Sequence, residues 1–244
     1  MPRAVLFDLD DTLFDLRHAS RTGLAGLQAA FPELRAAPLD DIERIYRKAL
    51  EETHVHVLAG VMTVDEARRE RYRYILRHYR CSLSAEAERL AFSTYQAAYR
   101  AARRAMPGAI QLLSRLRPHA NIAVVSNNLL AEQREKLAVC GLTRWVDALI
   151  VSEVVGVAKP EPAIFAAALA AVGCRAPDAV MVGDAWESDI VGAQHAGIRA
   201  VWLNRFGVPC PDPALATEIT SLEPNDALVA LLLDEPSPHY GETN

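Results

Sequence analysis

The chain has 244 residues, 51% apolar and 23% charged, with a formal net charge of −5. That length suits one large domain or a domain with a substantial insertion, and the composition is that of a soluble globular protein rather than a disordered one. The negative charge argues against a general nucleic-acid binder, and no apolar stretch approaches the ~20 residues of a membrane-spanning helix.

Pro2-Arg3 runs straight into an Asp-bearing apolar segment, so no signal peptide is expected. Cys81, Cys140, Cys174 and Cys210 lie far apart without a CxxC pair, which predicts reduced, mostly buried thiols and a cytoplasmic setting.

Residues 4–7 (Ala-Val-Leu-Phe) are too short for a helix and favour a buried strand. Alternation along it sends Asp8 and Asp10 to roughly the same side. Two carboxylates held that close repel unless one is protonated or a cation lies between them. A plainer alternative makes Asp10 and Asp11 turn-formers. Residues 17–31, 41–58, 64–80 and 85–104 then read as helices with no intervening strand; Ile42, Ile45, Tyr46, Ala49 and Leu50 show the helical spacing. Pro32 and Pro38 punctuate the first junction, and Ser84 with Glu86 and Glu88 suits a helix start.

After Met106-Pro107-Gly108 the pattern changes to alternation. Helix 107–118 leads to strand 122–125, which ends at Ser126-Asn127-Asn128. Helix 129–139 stops at Gly141, and strand 148–151 precedes helix 161–172, which closes at Gly173. Strand 179–182 ends at Gly183-Asp184, helix 187–196 ends at Gly197, and strand 200–203 follows. Residues 205–213 read as a Pro-rich loop, 218–222 as an edge strand and 235–244 as a mobile tail. Apolar strands separated by helices predict an α/β fold, a Rossmann-like doubly wound parallel sheet covered on both faces. The core takes 1–16 and 105–234, and residues 17–104 form a helical insertion. Residues 16–104 hold 16 Lys or Arg against 11 Asp or Glu, a balance of +5, while the remainder balances at −10.

Such sheets bind ligands beyond the carboxyl ends of their strands. Separate strands deliver Asp8 and Asp10, Ser126 and Asn127, and Asp184 to that edge, with Asp189 five residues further on. A carboxylate cluster without His or Cys disfavours zinc and copper, and oxygen ligands leaving room for waters and a phosphate favour Mg²⁺. Among 26 basic residues only Lys48, Lys136 and Lys159 are lysines. Retaining Lys159 in the loop after the third strand suggests a compact ammonium that reaches a phosphate oxygen and Asp8, the alternative being a surface lysine.

Asp8-x-Asp10-x-Thr12, Ser126, Lys159 and Gly183-Asp184-x-x-x-x-Asp189 stand in the order and spacing of four motifs, by which the chain resembles the haloacid dehalogenase superfamily. The resemblance spans nearly the whole chain. It implies that the insertion is a helical cap and that the Asp8 strand is central. It also implies a phosphomonoesterase: Asp8 is the nucleophile, forming an aspartyl-phosphate, and Asp10 is the general acid and base. Lys159 and Ser126 bind phosphoryl oxygens, with Asn127 beside them. Thr12 steadies the Asp10 loop and is grouped with these substrate-binding residues. Mg²⁺ is held by Asp8, the Asp10 carbonyl and Asp184, while Asp189 holds a metal-bound water or positions Lys159.

True dehalogenases of the superfamily lack the acid two residues after the nucleophile, and its mutases have smaller caps. A non-catalytic phosphate-compound binder is the remaining alternative. Short stretches around Phe7–Asp15 and 200–205 look like pyrimidine nucleotidases and sugar-phosphate phosphatases, so the expected partner is a small phosphorylated metabolite. A monomer or homodimer is expected, without nucleic-acid or membrane partners. His54, His56, Arg71, Tyr72 and Tyr74 are candidate pocket residues, or else cap surface and core.

Overall fold

The computed structural model describes residues 3–224 and 226–233; the tail expected over 235–244 lies outside them. Six strands, β1 (Ala4–Phe7), β2 (Asn121–Ser126), β3 (Ala148–Val151), β4 (Ala179–Gly183), β5 (Arg199–Leu203) and β6 (Thr217–Ile219), form one sheet in the order β3-β2-β1-β4-β5-β6. All pairs are parallel. The fold is therefore α/β and Rossmann-like, with the strand before Asp8 in the centre, where the strand order reverses.

Ala4 and Leu6, Ala123 and Val125, Ala179 and Met181, and Ala200 and Trp202 pack with Ile164, Phe165 and Ala168 on one face. Their neighbours Val5, Phe7, Val124, Val180, Val182 and Val201 are equally buried and point to the other face. Burial on both faces is why these strands read as unbroken apolar runs.

The chain divides into two compact units, one drawn from Met1–Asp15 and Arg104–Asn244, the other from Leu16–Arg103. The second consists of α1 (Leu16–Ala30), α2 (Leu39–Leu58), α3 (Val64–His78) and α4 (Ala85–Ala101), with a 3₁₀ turn at Pro32–Leu34. Leu24, Leu27, Ile42, Ile45, Ile75 and Leu76 form its core with the rings of Tyr46, Tyr72 and Tyr95. The Tyr72 and Tyr95 ring centres lie 4.8 Å apart, and Gln96 Nε2 donates to the Tyr72 hydroxyl at 2.8 Å. Tyr72 is thus core of this unit. Arg71 is also buried and donates from Nε to Thr53 Oγ1 at 2.7 Å, while His56 is exposed. Thr63 and Glu66 close a reciprocal capping box at the start of α3.

Around the sheet lie α5 (Ala109–Leu116), α6 (Leu130–Val139), α7 (Ser152–Val155), α8 (Pro162–Val172), α9 (Gly192–His195) and α10 (Asp226–Leu233). Three expectations need correction. The helix expected over 107–118 spans only Ala109–Leu116; Gly108, with φ +83°, makes the turn before it, close against the backbone of Glu223. The helix expected over 187–196 opens with a π-helical turn, Trp186–Val191, before α9. The edge strand is Thr217–Ile219 rather than 218–222. Neither α7 nor α10 was legible, since α7 has one turn and α10 is almost uniformly apolar, with no periodic face. Where the chain leaves and re-enters the sheet unit, its two passages run antiparallel. Met106 N donates to Leu13 O at 2.8 Å and Asp15 N to Arg104 O at 3.2 Å. Among the described residues no helix is long and apolar enough to cross a membrane.

Candidate active site

The sheet register explains why distant residues meet. Phe7 lies opposite Val124 and Val182, so Asp8, Ser126 and Asp184 leave adjacent strands at one edge. Asp8 N continues the ladder by donating to Val182 O at 2.9 Å. The chain then folds back tightly: Leu9 O accepts from Leu13 N and Phe14 N at 2.9 and 2.8 Å, and Asp11 takes φ +61°. Asp tolerates that left-handed conformation better than most side chains. Leu9 and Leu13 are fully buried, which anchors the turn and leaves the carboxylates at the rim.

Lys159 is held twice. Its backbone N–H donates to Asn127 Oδ1 at 2.7 Å, and its carbonyl accepts from Asn127 Nδ2 at 2.8 Å. Its ammonium reaches Asp8 Oδ1 at 2.6 Å, Asp189 Oδ1 at 2.7 Å and Val125 O at 2.8 Å. Three acceptors satisfy all three N–H groups of a lysine. Burial alone would lower the Lys159 pKa, but Asp189 and Asp8 outweigh it and hold the ammonium charged. Asp189 is fully committed: its Oδ2 accepts from Ala185 N at 3.0 Å, and Ser188 Oγ donates to Oδ1 at 3.3 Å. The π-helical turn makes this possible by swinging Asp189 back toward β4. A Cβ on Gly183 would collide with the Asp189 carboxylate, so the strand end must be bare.

Thr12 is fully buried and donates to Asp184 Oδ1 at 3.3 Å, and Trp202 Nε1 fixes the Asp184 carbonyl at 2.9 Å. Burial pushes the Asp8 carboxyl up to about 7, with Lys159 opposing and Asp189 adding to the rise. Burial and the neighbouring carboxylates of Asp8 and Asp189 push Asp184 up to about 8. Burial is the largest cause of both shifts, and the crowding of carboxylates adds to it. Carboxylate oxygens of Asp8, Asp184 and Asp189 lie within 4.8 Å of one another, and Lys159 is the cation paired with them among the described residues. Fully ionised, the group keeps two uncompensated negative charges. An all-oxygen donor set with that excess fits a hard divalent cation.

Asp10 stands apart from this group. Lys136 Nζ bridges its two oxygens at 2.6 and 2.8 Å, while Gln133 Nε2 and Asn128 Nδ2 donate to Oδ2 at 3.0 and 3.4 Å. Burial would raise the Asp10 pKa, but the charge and hydrogen bond of Lys136, with Gln133 and Asn128, bring it below the usual value. Gln133 Nε2 also donates to Ser126 Oγ at 2.6 Å. The structure therefore brings Asp8, Asp184, Asp189, Lys159, Thr12 and Asn127 together at one carboxylate centre. Asp10 and Ser126 are joined through α6. Sequence reasoning passed over Asn128, Gln133 and Lys136. The scarcity of lysine that singled out Lys159 applies equally to Lys136, and Gln133 lies one helical turn before it.

A buried lysine–carboxylate centre at the switch point of a doubly wound sheet defines an α/β enzyme. Residues 2–197 match the family model of the haloacid dehalogenase-like hydrolases, and the chain belongs to that family. It is 30% identical over 219 residues to the N-acylneuraminate-9-phosphatase of Rattus norvegicus, covering 84% of each chain. It is 44% identical over 102 residues to the pyrimidine 5'-nucleotidase YjjG of Escherichia coli (strain K12), covering 41% of this chain and 44% of that one. This match thus spans less than half of the nucleotidase. The solved structure of the HAD-hydrolase YfnB from Bacillus subtilis, bound to magnesium, superposes with a TM-score of 0.70 at 26% identity, covering 96% of this chain and 99% of that one. Both a 2-haloacid dehalogenase and a phosphatase of this family share the fold.

Proposed function

We propose that the chain is a Mg²⁺-dependent phosphomonoesterase acting on a small phosphorylated metabolite, a nucleoside monophosphate or a sugar phosphate. The observation that carries this reading is Asp8 held beside Lys159, with a second carboxylate, Asp10, two residues on and separately anchored. Asp8 Oδ1 is fixed by the lysine, which leaves Oδ2 to attack phosphorus. The bond from phosphorus to the leaving oxygen breaks as Asp10 delivers a proton there from Oδ1, the oxygen that Gln133 and Asn128 leave open, a proton it takes up against the pull of Lys136. Asp10, now a carboxylate, takes a proton from water, whose oxygen attacks phosphorus and releases phosphate and Asp8. Lys159 serves as a fixed positive charge against Asp8 and the phosphoryl oxygens, and Asp189 acts by holding Lys159. Ser126 presents its hydroxyl hydrogen to a phosphoryl oxygen, since its oxygen already accepts from Gln133. Asp8, Asp184 and the Asp10 carbonyl would hold Mg²⁺, which when bound offsets charge on the transferred group.

The acid at position 10 favours this reading over the dehalogenase one, which has no leaving alkoxide to protonate. The phosphatase and nucleotidase relatives support the substrate class. In this reading the Leu16–Arg103 unit is the cap that discriminates among leaving groups. The test is phosphate release from a panel of phosphorylated metabolites, wild type against Asp8→Asn. An amide cannot act as the nucleophile, and each ~1.4 kcal/mol of barrier is tenfold in rate. The folded variant should be inactive; a tenth of the wild-type rate would exclude the covalent route.

A further inference from the structure

Two buried side chains on α6 touch the residues that act in the reading above without touching substrate themselves. Gln133 is fully buried and Lys136 is 6% exposed. Gln133 uses both amide hydrogens, one on Asp10 Oδ2 at 3.0 Å and one on Ser126 Oγ at 2.6 Å. Its orientation is dictated by chemistry, because a flipped amide would set Oε1 against a carboxylate. That orientation leaves Gln133 Oε1 buried with no hydrogen-bond partner. An orphaned buried acceptor lowers stability, and an apolar residue at 133 would avoid it. Lys136 bridges both Asp10 oxygens and lies 5.3 Å from the centre of the Phe14 ring. The two residues, three apart, stand on one face of the helix.

From this geometry, and resting on the phosphomonoesterase reading, we propose that Gln133 and Lys136 are positioning residues. They tie the Asp10 carboxylate and the Ser126 hydroxyl into one rigid unit. The group that exchanges a proton with the leaving oxygen and the group that grips the phosphoryl oxygen then keep their spacing through both half-reactions. Lys136 fixes the plane of the carboxylate by bridging both oxygens. Gln133 sets its distance from Ser126, and by occupying the serine oxygen it directs the hydroxyl hydrogen away from the helix. The turn after β1 thus borrows its rigidity from a helix after β2.

The experiment compares kcat and KM of the full chain with Mg²⁺ on glycerol phosphate, a poor leaving group, and on p-nitrophenyl phosphate, a good one. Lys136→Met should lose at least tenfold more kcat on glycerol phosphate than on p-nitrophenyl phosphate. Introduced into an Asp10→Asn background, it should cost nothing further. Gln133→Met, which also cuts the link to Ser126, should show the same split and raise KM several-fold on both substrates. Circular dichroism establishes folding, and if one variant unfolds the other carries the test. Equal losses on the two substrates, or a Lys136→Met loss that adds to that of Asp10→Asn, would overturn the positioning role while the phosphatase reading stands. A wild type that releases no phosphate from any ester would instead sink that reading, and this proposal with it.

Discussion

At the scale of single residues, the site is a problem in charge balance. Asp189 is fully buried and shares the Lys159 ammonium with Asp8. Asp189→Asn leaves Lys159 paired with Asp8 and relieves part of the carboxylate surplus, so it should cost less than the ~3–5 kcal/mol of stripping a buried ion of its partner. The expected result is a modest loss in urea denaturation with a large loss of activity; unchanged activity would show that Asp189 is not the anchor of Lys159. The surplus of carboxylates makes a second prediction. On the proposed reading Mg²⁺ should raise the melting temperature with increasing concentration, because it would bind the folded site and find no such cluster in the unfolded chain. Chelation should abolish activity. Ca²⁺, which takes more ligands at longer distances, should stabilise the fold without supporting turnover. A melting temperature indifferent to Mg²⁺ would contradict the metal assignment.

At the scale of elements, the end of β4 and the π-helical turn after it act as a pair. Gly183→Ala places a methyl group where the Asp189 carboxylate lies, so the turn must shift and drag Lys159 with it. Activity should fall by at least tenfold, with a far smaller change in far-ultraviolet circular dichroism; near-wild-type activity would show that the turn yields freely. The same region shows what was legible in the sequence. Buried parallel strands announce themselves as apolar runs, and Asp8, Ser126 and Asp184 mark their ends because polar groups there are conspicuous. The π turn was not legible, because its wider winding is dictated by Asp189 reaching Lys159, a contact between residues 30 positions apart. Gln133 and Lys136 were missed for a related reason: on a helix, one buried polar face resembles an ordinary solvated one until the partner, Asp10, is in view.

At the scale of the molecule, charge divides between the two units. Residues 16–103 balance at +4 and the remainder at −9. Every phosphoryl-directed residue named above belongs to the sheet unit. Replacing Leu16–Arg103 with a short turn should therefore spare much of the rate on p-nitrophenyl phosphate while erasing the ranking of metabolites. Arg104 should be retained, because it donates from Nε and Nη2 to Asp15 Oδ2 at 3.0 and 2.7 Å. A folded, shortened protein that still ranked the metabolites as the full chain does would locate selectivity in the sheet unit.

The antiparallel rung between Asp15 and Arg104 also bears on how the protein comes apart. Both covalent passages run through it, so residues 16–103 form a loop whose ends stay pinned while the sheet is intact. Closing a loop costs entropy that grows only with the logarithm of its length. Melting the four helices therefore need not unravel the sheet, and calorimetry should resolve two transitions rather than one. In native-state hydrogen exchange, amides of α1 to α4 should share one opening free energy, lower than that of β1, β2 and β4. A single transition with uniform protection would mean that the rung transmits unfolding instead of containing it.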